Sequence, residues 1–174
     1  MLKSYMNKLL SIILLGYFAF INAKEPTLAI LQNVNSASIQ KFTIANSSFY
    51  CDAYAVIGVD KLAMNSSVDS TCKKSLGGFY KRNPQTKYYS QELLKVLQTY
   101  HVEFKEEKCI VFAQGEITLS ELLLKEGLAV LEPNFKDDEY KAIFRNAQIS
   151  AKMNRKGLWG ESIMRDCIAE IYKK

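Results

Sequence analysis

The chain has 174 residues and a formal net charge of +5 at pH 7, from 23 lysines and arginines against 18 aspartates and glutamates. This length fits one domain with a short extension. Hydrophobic residues make up 48% of the chain, which excludes the class of intrinsically disordered proteins that have too few apolar residues to form a core.

The first 23 residues have the pattern of a secretory signal peptide. Lys3 and Lys8 precede an apolar run from Leu9 to Ile21, and Ala23 provides the small residue that cleavage requires. The run is too short to span a bilayer comfortably, although an uncleaved anchor is the alternative. We therefore expect an exported protein, periplasmic or secreted, with no stable membrane span after cleavage. Loss of the two lysines leaves a net charge of about +3, a mild basic excess.

All four cysteines follow the predicted cleavage point: Cys51, Cys72, Cys109 and Cys167. An even number of cysteines in an exported chain predicts two disulfides, and the sequence leaves all three pairings open. The alternative is a metal site, which is disfavoured because the chain has no C-x-x-C motif and a single histidine, His101. Alternation places His101 on the solvent side of a strand, where it has no predicted catalytic partner.

The first half of the chain predicts a three-stranded meander. A first strand lies within residues 24–35, and a second lies in residues 41–45 after a turn. Small and apolar residues alternate from Phe49 to Val59, which predicts one long strand.

Residues 73–89, KKSLGGFYKRNPQTKYY, have the composition of a long surface loop, because Gly77-Gly78 and Asn83-Pro84 interrupt any regular element. The spacing after Ser90 predicts a helix with four apolar residues on its buried face: Leu93, Val96, Leu97 and Tyr100. Two strands are predicted next, the first around Val102 and the second in residues 109–113.

The second half contains helices with clear boundaries. Thr118 and Glu121 form a capping box, and Gly127 stands where a left-handed C-cap ends the helix. The next helix is expected to begin near Asp137 or Asp138 and to end by Gly157. Its predicted apolar face consists of Tyr140, Ile143, Phe144, Ala147 and Ala151. Leu158-Trp159 is expected to fold back as an anchor, and residues 161–174 are expected to form one more helix.

Four features follow one another in the second half of the sequence. They are a capped leucine helix, Glu126-Gly127-Leu128-Ala129, an aromatic and alanine helix, and Gly157-Leu158-Trp159. The order resembles the C-terminal half of the thermonuclease (staphylococcal-nuclease-like) family, most specifically from Tyr88 onward. The resemblance implies an α+β fold, with a five-stranded OB-type β-barrel flanked by about three helices. The implied domain covers residues 24–160, followed by a helical extension at 161–174.

The resembled family hydrolyses DNA and RNA with a calcium ion held by carboxylates, a glutamate that orients water, and two arginines that neutralise the transition state. Little of that pattern can be laid on this sequence. Residues 26–51 contain no acid, and no arginine precedes Arg82. Asp60 matches one metal-binding aspartate, whereas the expected first arginine falls near Ala55 and the glutamate falls on Ala63. We therefore expect no catalytic residues and no cofactor for that mechanism, with calcium as the alternative.

A positive signal comes from residues 73–89, here called the basic segment. It carries basic and aromatic residues and no acid: Lys73, Lys74, Phe79, Tyr80, Lys81, Arg82, Lys87, Tyr88 and Tyr89. Such a mixture can follow a phosphate backbone and stack on bases, so single-stranded nucleic acid is the first candidate partner. The alternatives are a solvated loop, an envelope protein as partner, and an active secreted nuclease whose metal ligands have moved to Asp52, Asp60 and Asp69.

Overall fold

The structure is a computed structural model that describes residues 26–64 and 69–173. The predicted signal peptide, residues 1–23, lies outside these ranges and stays a prediction. Among the helices of the described ranges, none is long and apolar enough to cross a membrane.

Three antiparallel strands form the predicted meander: β1 (Thr27–Val34), β2 (Ile39–Ile44) and β3 (Ser47–Asp52). Alternation along these strands divides the sheet into two faces. Leu31 and Phe42 are fully buried on the inner face, while the outer face is exposed to solvent.

The prediction of one strand from Phe49 to Val59 is wrong. β3 ends at Asp52, the backbone turns through Ala55 at φ 63°, and a short strand β4 (Val56–Gly58) leads into helix α1 (Val59–Met64). The predicted alternation of burial also fails after Asp52, because Tyr54 and Val56 are buried together with Ala53 and Ala55, whereas Ile57 is only partly buried.

The prediction that residues 73–89 form a loop is also wrong. They are covered by α2 (Ser70–Gly77), α3 (Phe79–Arg82), a 3-10 turn (Pro84–Thr86) and the start of α4 (Tyr89–Leu93). The glycines and the proline separate short helices from one another and do not abolish helical structure. α4 is also shorter than predicted, because the chain leaves it at Leu94 in an extended conformation.

The apolar face predicted after Ser90 is only half correct. Tyr100 is buried and Leu93 is partly buried, but Val96 and Leu97 are 50% and 75% exposed. Leu97 has a φ of 67°, so the chain turns there before the next strand begins.

The main sheet has six strands, in the order β3-β2-β1-β5-β6-β7. Its second half consists of β5 (Thr99–Lys105), β6 (Lys108–Gln114) and β7 (Ile117–Thr118), and β4 pairs separately with β8 (Ala129–Leu131). The predicted closed barrel of five strands with about three helices is therefore corrected in part. The fold is α+β and mostly antiparallel, but in the described residues the sheet is open and seven α-helices accompany it. The residue after β3 approaches β6 through an isolated bridge between Ala53 and Cys109.

The two central helices begin where the sequence predicted. α5 (Leu119–Lys125) is capped by Thr118, whose hydroxyl accepts a hydrogen bond from the Glu121 amide. α6 (Asp138–Met153) is capped in the same way by Asp137. The predicted apolar face of α6 is buried except for Ile143, which is 46% exposed, so that part of the prediction is wrong.

Gly127, after the end of α5, and Gly157, after the end of α6, bring the two chain segments into backbone contact. Both have a positive φ, and the amide of Leu158 donates to the Gly127 carbonyl at 2.9 Å. This contact places Leu158 and Trp159 in the core, which confirms the predicted anchor.

Helix α7 (Ser162–Ile171) confirms the expected C-terminal helix. Its Cys167 lies at disulfide distance from Cys72 of α2, and Cys51 of β3 pairs with Cys109 of β6. The Cα–Cα distance is 5.4 Å in both pairs, which is normal for a disulfide. The structure thus selects one of the three pairings that the sequence left open.

Candidate functional site

A pocket of about 240 Å³ lies between the turn after β1, the start of α1 and the segment before α4. Its walls combine polar side chains with two aromatic rings. The lining residues are Val34, Asn35, Ser36, Ala37, Asp60, Tyr80, Lys87, Tyr88 and Gln91.

Asp60 is the acid of this pocket. It stands in the first turn of α1, whose neighbours Val59 and Leu62 are buried and fix the helix against the core. Burial raises the pKa of Asp60 above its ordinary value, and the positive charge of Lys87 opposes that shift. The carboxyl group is therefore partly desolvated, as groups that meet a ligand often are.

Tyr80 contributes to the wall of the same pocket. Its hydroxyl oxygen is buried and has no hydrogen-bond partner within the described residues. Burial raises the pKa of Tyr80, and the charge of Asp60 adds to the shift. Because an unpaired buried hydroxyl is unfavourable, a polar ligand that reached it would recover a hydrogen bond.

The rim of the pocket is formed by Lys87 and Tyr88. The Lys87 ammonium lies 5.5 Å from the centre of the Tyr88 ring, a cation–π distance. Tyr88 is 50% exposed, so its ring can be reached from solvent. The rim thus offers one cation and one aromatic face side by side.

A second pocket, of about 280 Å³, continues the first along the end of β1. The two share Val34 and Gln91, and the second adds the exposed cation Lys95. Together they form a groove with Asp60 in one half and Lys95 in the other.

Four lysines that were predicted to bind nucleic acid are exposed to solvent in the basic segment: Lys73, Lys74, Lys81 and Lys87. In the described part of the chain, no carboxylate lies within salt-bridge distance of these four. Arg82 differs, because its guanidinium binds Glu161 at 2.9 Å and donates to the Ser75 carbonyl at 2.8 Å. Arg82 therefore joins α3 to the start of the C-terminal extension and is already engaged.

The aromatic residues of the basic segment are not equivalent. Phe79 is fully buried and cannot stack on a base in the folded protein, which corrects its place among the candidates. Tyr80 and Tyr89 are partly buried, and burial raises the pKa of Tyr89 to about 12. Tyr88 is thus the accessible ring of the four.

The acids suggested as relocated metal ligands have separate roles. Asp52 forms an ion pair with Lys61 across the turn between β3 and α1. Asp69 caps α2 by accepting a hydrogen bond from the Cys72 amide at 2.7 Å. Asp60 lies in the pocket, so these three acids occupy three different settings.

Three residues stand where the resembled family places its second arginine. Glu106 and Glu107 are exposed in the turn between β5 and β6, and Lys108 forms an ion pair with Glu132. The lone histidine, His101, is exposed on β5, as the alternation predicted.

Sequence reasoning did not identify Asn35, Ser36 and Gln91 as part of a site. The sequence predicts only a turn at Asn35 and Ser36, and it gives no role to Gln91. The one signal in the sequence for Asn35 and Ser36 is that their turn precedes a buried strand. The pocket itself forms only because the basic segment packs beside this turn, and that packing is a tertiary contact.

A comparison with family models matches residues 80–161 to the staphylococcal nuclease homologues. The match covers the part of the chain from Tyr80 of the pocket to Glu161, the partner of Arg82. No curated protein matches the chain.

Proposed function

We propose that the protein is an exported, disulfide-bonded binder of single-stranded nucleic acid, and the match of residues 80–161 to the staphylococcal nuclease homologues supports this. The observation that supports it most is the groove, in which Asp60, Tyr80, Lys87 and Tyr88 surround one pocket. It hydrolyses nothing by the family's metal mechanism.

Charge supports a nucleic acid as the partner. The four unpaired lysines of the basic segment lie on consecutive short helices and turns, and Lys95 extends the positive charge along the groove. Phosphates bound by these lysines would release counterions, which makes such binding favourable and strongly dependent on salt.

The exposed aromatic ring at the rim of the pocket favours single-stranded over double-stranded nucleic acid as the ligand. Tyr88 presents an accessible ring next to Lys87, and an unpaired base can stack on this ring while the ammonium meets its phosphate. A duplex keeps its bases stacked on one another and has no free base face for Tyr88.

The polar wall supports binding of the base edge. Asp60 can accept hydrogen bonds from an amino or imino group, and the Tyr80 hydroxyl can donate or accept one. Two adjacent pockets of similar size suit two successive nucleotides.

Hydrolysis by the family's mechanism lacks support at this groove. The pocket brings one carboxylate and one lysine together, and its lining contains no arginine. A calcium site needs several oxygen ligands, and the transition state of phosphodiester cleavage needs concentrated positive charge.

The test uses labelled single-stranded and double-stranded DNA, with and without calcium. Cleavage and fluorescence anisotropy are followed in the same sample of purified, oxidised protein. We expect salt-sensitive binding of the single strand without cleavage. Lys81→Ala with Lys87→Ala should weaken it and reduce the salt slope by about 1.4, since each lost phosphate contact contributes about 0.7 for single strands.

The matched control is Lys125→Ala with Lys136→Ala, which removes two exposed lysines outside the groove. It should leave the affinity and the salt slope nearly unchanged. Calcium-dependent cleavage would overturn the proposal in favour of an active nuclease. An absence of both binding and cleavage would overturn it in favour of a protein partner.

A further inference from the structure

The helices α2 and α7 are joined by the Cys72–Cys167 disulfide, and an acid lies three residues from each cysteine. Asp69 lies three residues before Cys72, and Glu170 lies three residues after Cys167. Glu170 lies on the Cys167 face of α7, since residues three apart share a helix face, and Asp69, the N-cap of α2, turns its carboxylate to the Cys72 amide.

The distances confirm this arrangement. Carboxylate oxygens of Asp69 and Glu170 and the sulfur of Cys72 all lie within 4.8 Å of one another. Within residues 26–64 and 69–173, this is the one group of three or more potential ligand side chains at such distances. The sulfur of Cys167 is bonded to that of Cys72 and therefore belongs to the same cluster.

We propose that reduction of the Cys72–Cys167 disulfide creates a zinc site formed by Asp69, Cys72, Cys167 and Glu170. Two thiolates and two carboxylates supply the four ligands that Zn²⁺ prefers, in a tetrahedral arrangement. The inference is independent of nucleic-acid binding, because none of the four residues lines the groove.

The chemistry balances with a dithiol as reductant. The dithiol transfers two electrons and two protons, the Cys72–Cys167 bond breaks, and two thiols and an oxidised dithiol result. Zn²⁺ then binds both sulfurs as thiolates and two protons are released, because only the thiolate is a metal ligand.

The geometry requires only a small adjustment. With Zn–S bonds of about 2.3 Å, tetrahedral sulfurs lie about 3.8 Å apart, so the two sulfurs must separate after reduction. Rotation of the two cysteine side chains can provide this, because the backbones are already 5.4 Å apart at Cα. Asp69 keeps one oxygen on the Cys72 amide, and its other oxygen accepts no hydrogen bond from residues 26–64 and 69–173.

The metal would take over the mechanical role of the disulfide. In the oxidised protein the bond ties α7 to α2, and in the reduced protein the zinc ion would hold the same two helices. α7 packs directly on α2 and buries Cys167 together with Ile168, so the cross-link protects a part of the core.

The test titrates oxidised and dithiol-reduced protein with Co²⁺ and with Zn²⁺. Thiolate-to-cobalt charge-transfer absorption reports sulfur ligation, and helical circular dichroism reports folding. We expect one equivalent of metal to bind to the folded, reduced protein and none to the oxidised protein. Asp69→Asn with Glu170→Gln should lower the zinc affinity at least about a hundredfold, because two of four ligands lose their charge.

Asp69→Asn preserves the helix cap, since asparagine caps as well as aspartate does, so this variant should fold. The control Asp166→Asn removes an exposed acid of α7 outside the cluster and should leave the affinity unchanged. The proposal is overturned if the reduced protein shows no charge-transfer band, if the band appears only when helical structure is lost, or if the double variant binds zinc as tightly as the unaltered protein.

Discussion

The hydroxyl of Tyr54 donates a hydrogen bond of 2.9 Å to Oδ2 of Asp137, and the Lys105 ammonium lies 2.9 Å from the same oxygen. The other oxygen of Asp137 accepts from the Glu139 amide and caps α6. One carboxylate thus links the turn after β3, the end of β5 and the longest helix. Asp137→Ala should lower the free energy of unfolding by about 2–3 kcal/mol, because it removes a cap and leaves the tyrosine and lysine without their acceptor. Asp137→Asn keeps the cap and should lose less.

The same carboxylate predicts a pH dependence. Partial burial raises the pKa of Asp137, but the hydrogen bonds from Lys105 and Tyr54 outweigh it and hold the pKa below its ordinary value. The stability that this carboxylate contributes is therefore present above the unfolded-state pKa and is lost as the pH falls through the folded-state pKa. Denaturant unfolding should show a stability difference between the unaltered protein and Asp137→Asn that is largest near neutrality and shrinks below about pH 4. A difference that stays constant into acid would contradict this role of the charge.

The contact between Gly127 and Gly157 predicts a position that tolerates no side chain. Gly127 has a φ of 66°, and a Cβ there would lie 2.3 Å from the Lys156 carbonyl oxygen. Gly127→Ala should therefore destabilise the protein by about 2–4 kcal/mol, because the backbone must shift and the left-handed conformation is strained. The control is Gly77→Ala at the end of α2, where nothing lies within 4 Å, and it should be neutral or stabilising by about 0.5–1 kcal/mol. Equal melting temperatures for the two variants would refute the close approach.

We expect the Asp60 carboxylate to contribute to ligand binding and to lower the stability of the folded protein at neutral pH. Burial raises its pKa, so the folded protein disfavours the charged form, and Asp60 destabilises the fold at neutral pH. Asp60→Asn should raise the melting temperature at pH 7, and this gain should disappear in acid, where Asp60 itself is neutral. Asp52→Asn is the matched comparison, since Asp52 is paired with Lys61 and its loss should destabilise. A lower melting temperature for Asp60→Asn at pH 7 would show that its carboxylate is structural.

Local signals in the second half of the sequence were sufficient to predict where its two central helices begin and end. The caps at Thr118 and Asp137 and the left-handed Gly127 depend on residues a few positions apart. The caps and the glycine are short-range effects of backbone hydrogen bonding, which a single sequence records directly.

The first half was harder to predict because its bends arise from tertiary packing. Ala55 adopts a positive φ without a glycine, and nothing local distinguishes it from a strand residue. Residues 73–89 contain breakers, yet Leu76 and Phe79 are buried and hold the short helices in place. The pocket depends on these helices packing beside the turn at Asn35, so only Asp60 and the basic segment were predictable.

The final prediction compares two tyrosines in similar surroundings. Tyr88 is 50% exposed with Lys87 at 5.5 Å from its ring, and Tyr50 is 63% exposed with Lys41 at 5.8 Å from its ring. Only Tyr88 lines the pocket. Tyr88→Ala should weaken single-strand binding by about 1–3 kcal/mol, the range for one base stacked on one aromatic ring, and Tyr50→Ala should leave it unchanged.

Titration of a labelled oligonucleotide by anisotropy measures both effects, and Tyr88→Phe should retain most of the affinity because stacking requires the ring and not the hydroxyl. Since both rings are exposed, neither alanine variant should change the melting temperature by more than a few degrees. If Tyr50→Ala weakened binding as much as Tyr88→Ala, the strand would lie across the outer face of β3, because Tyr50 is presented there, and the groove beside Asp60 would not be the binding site.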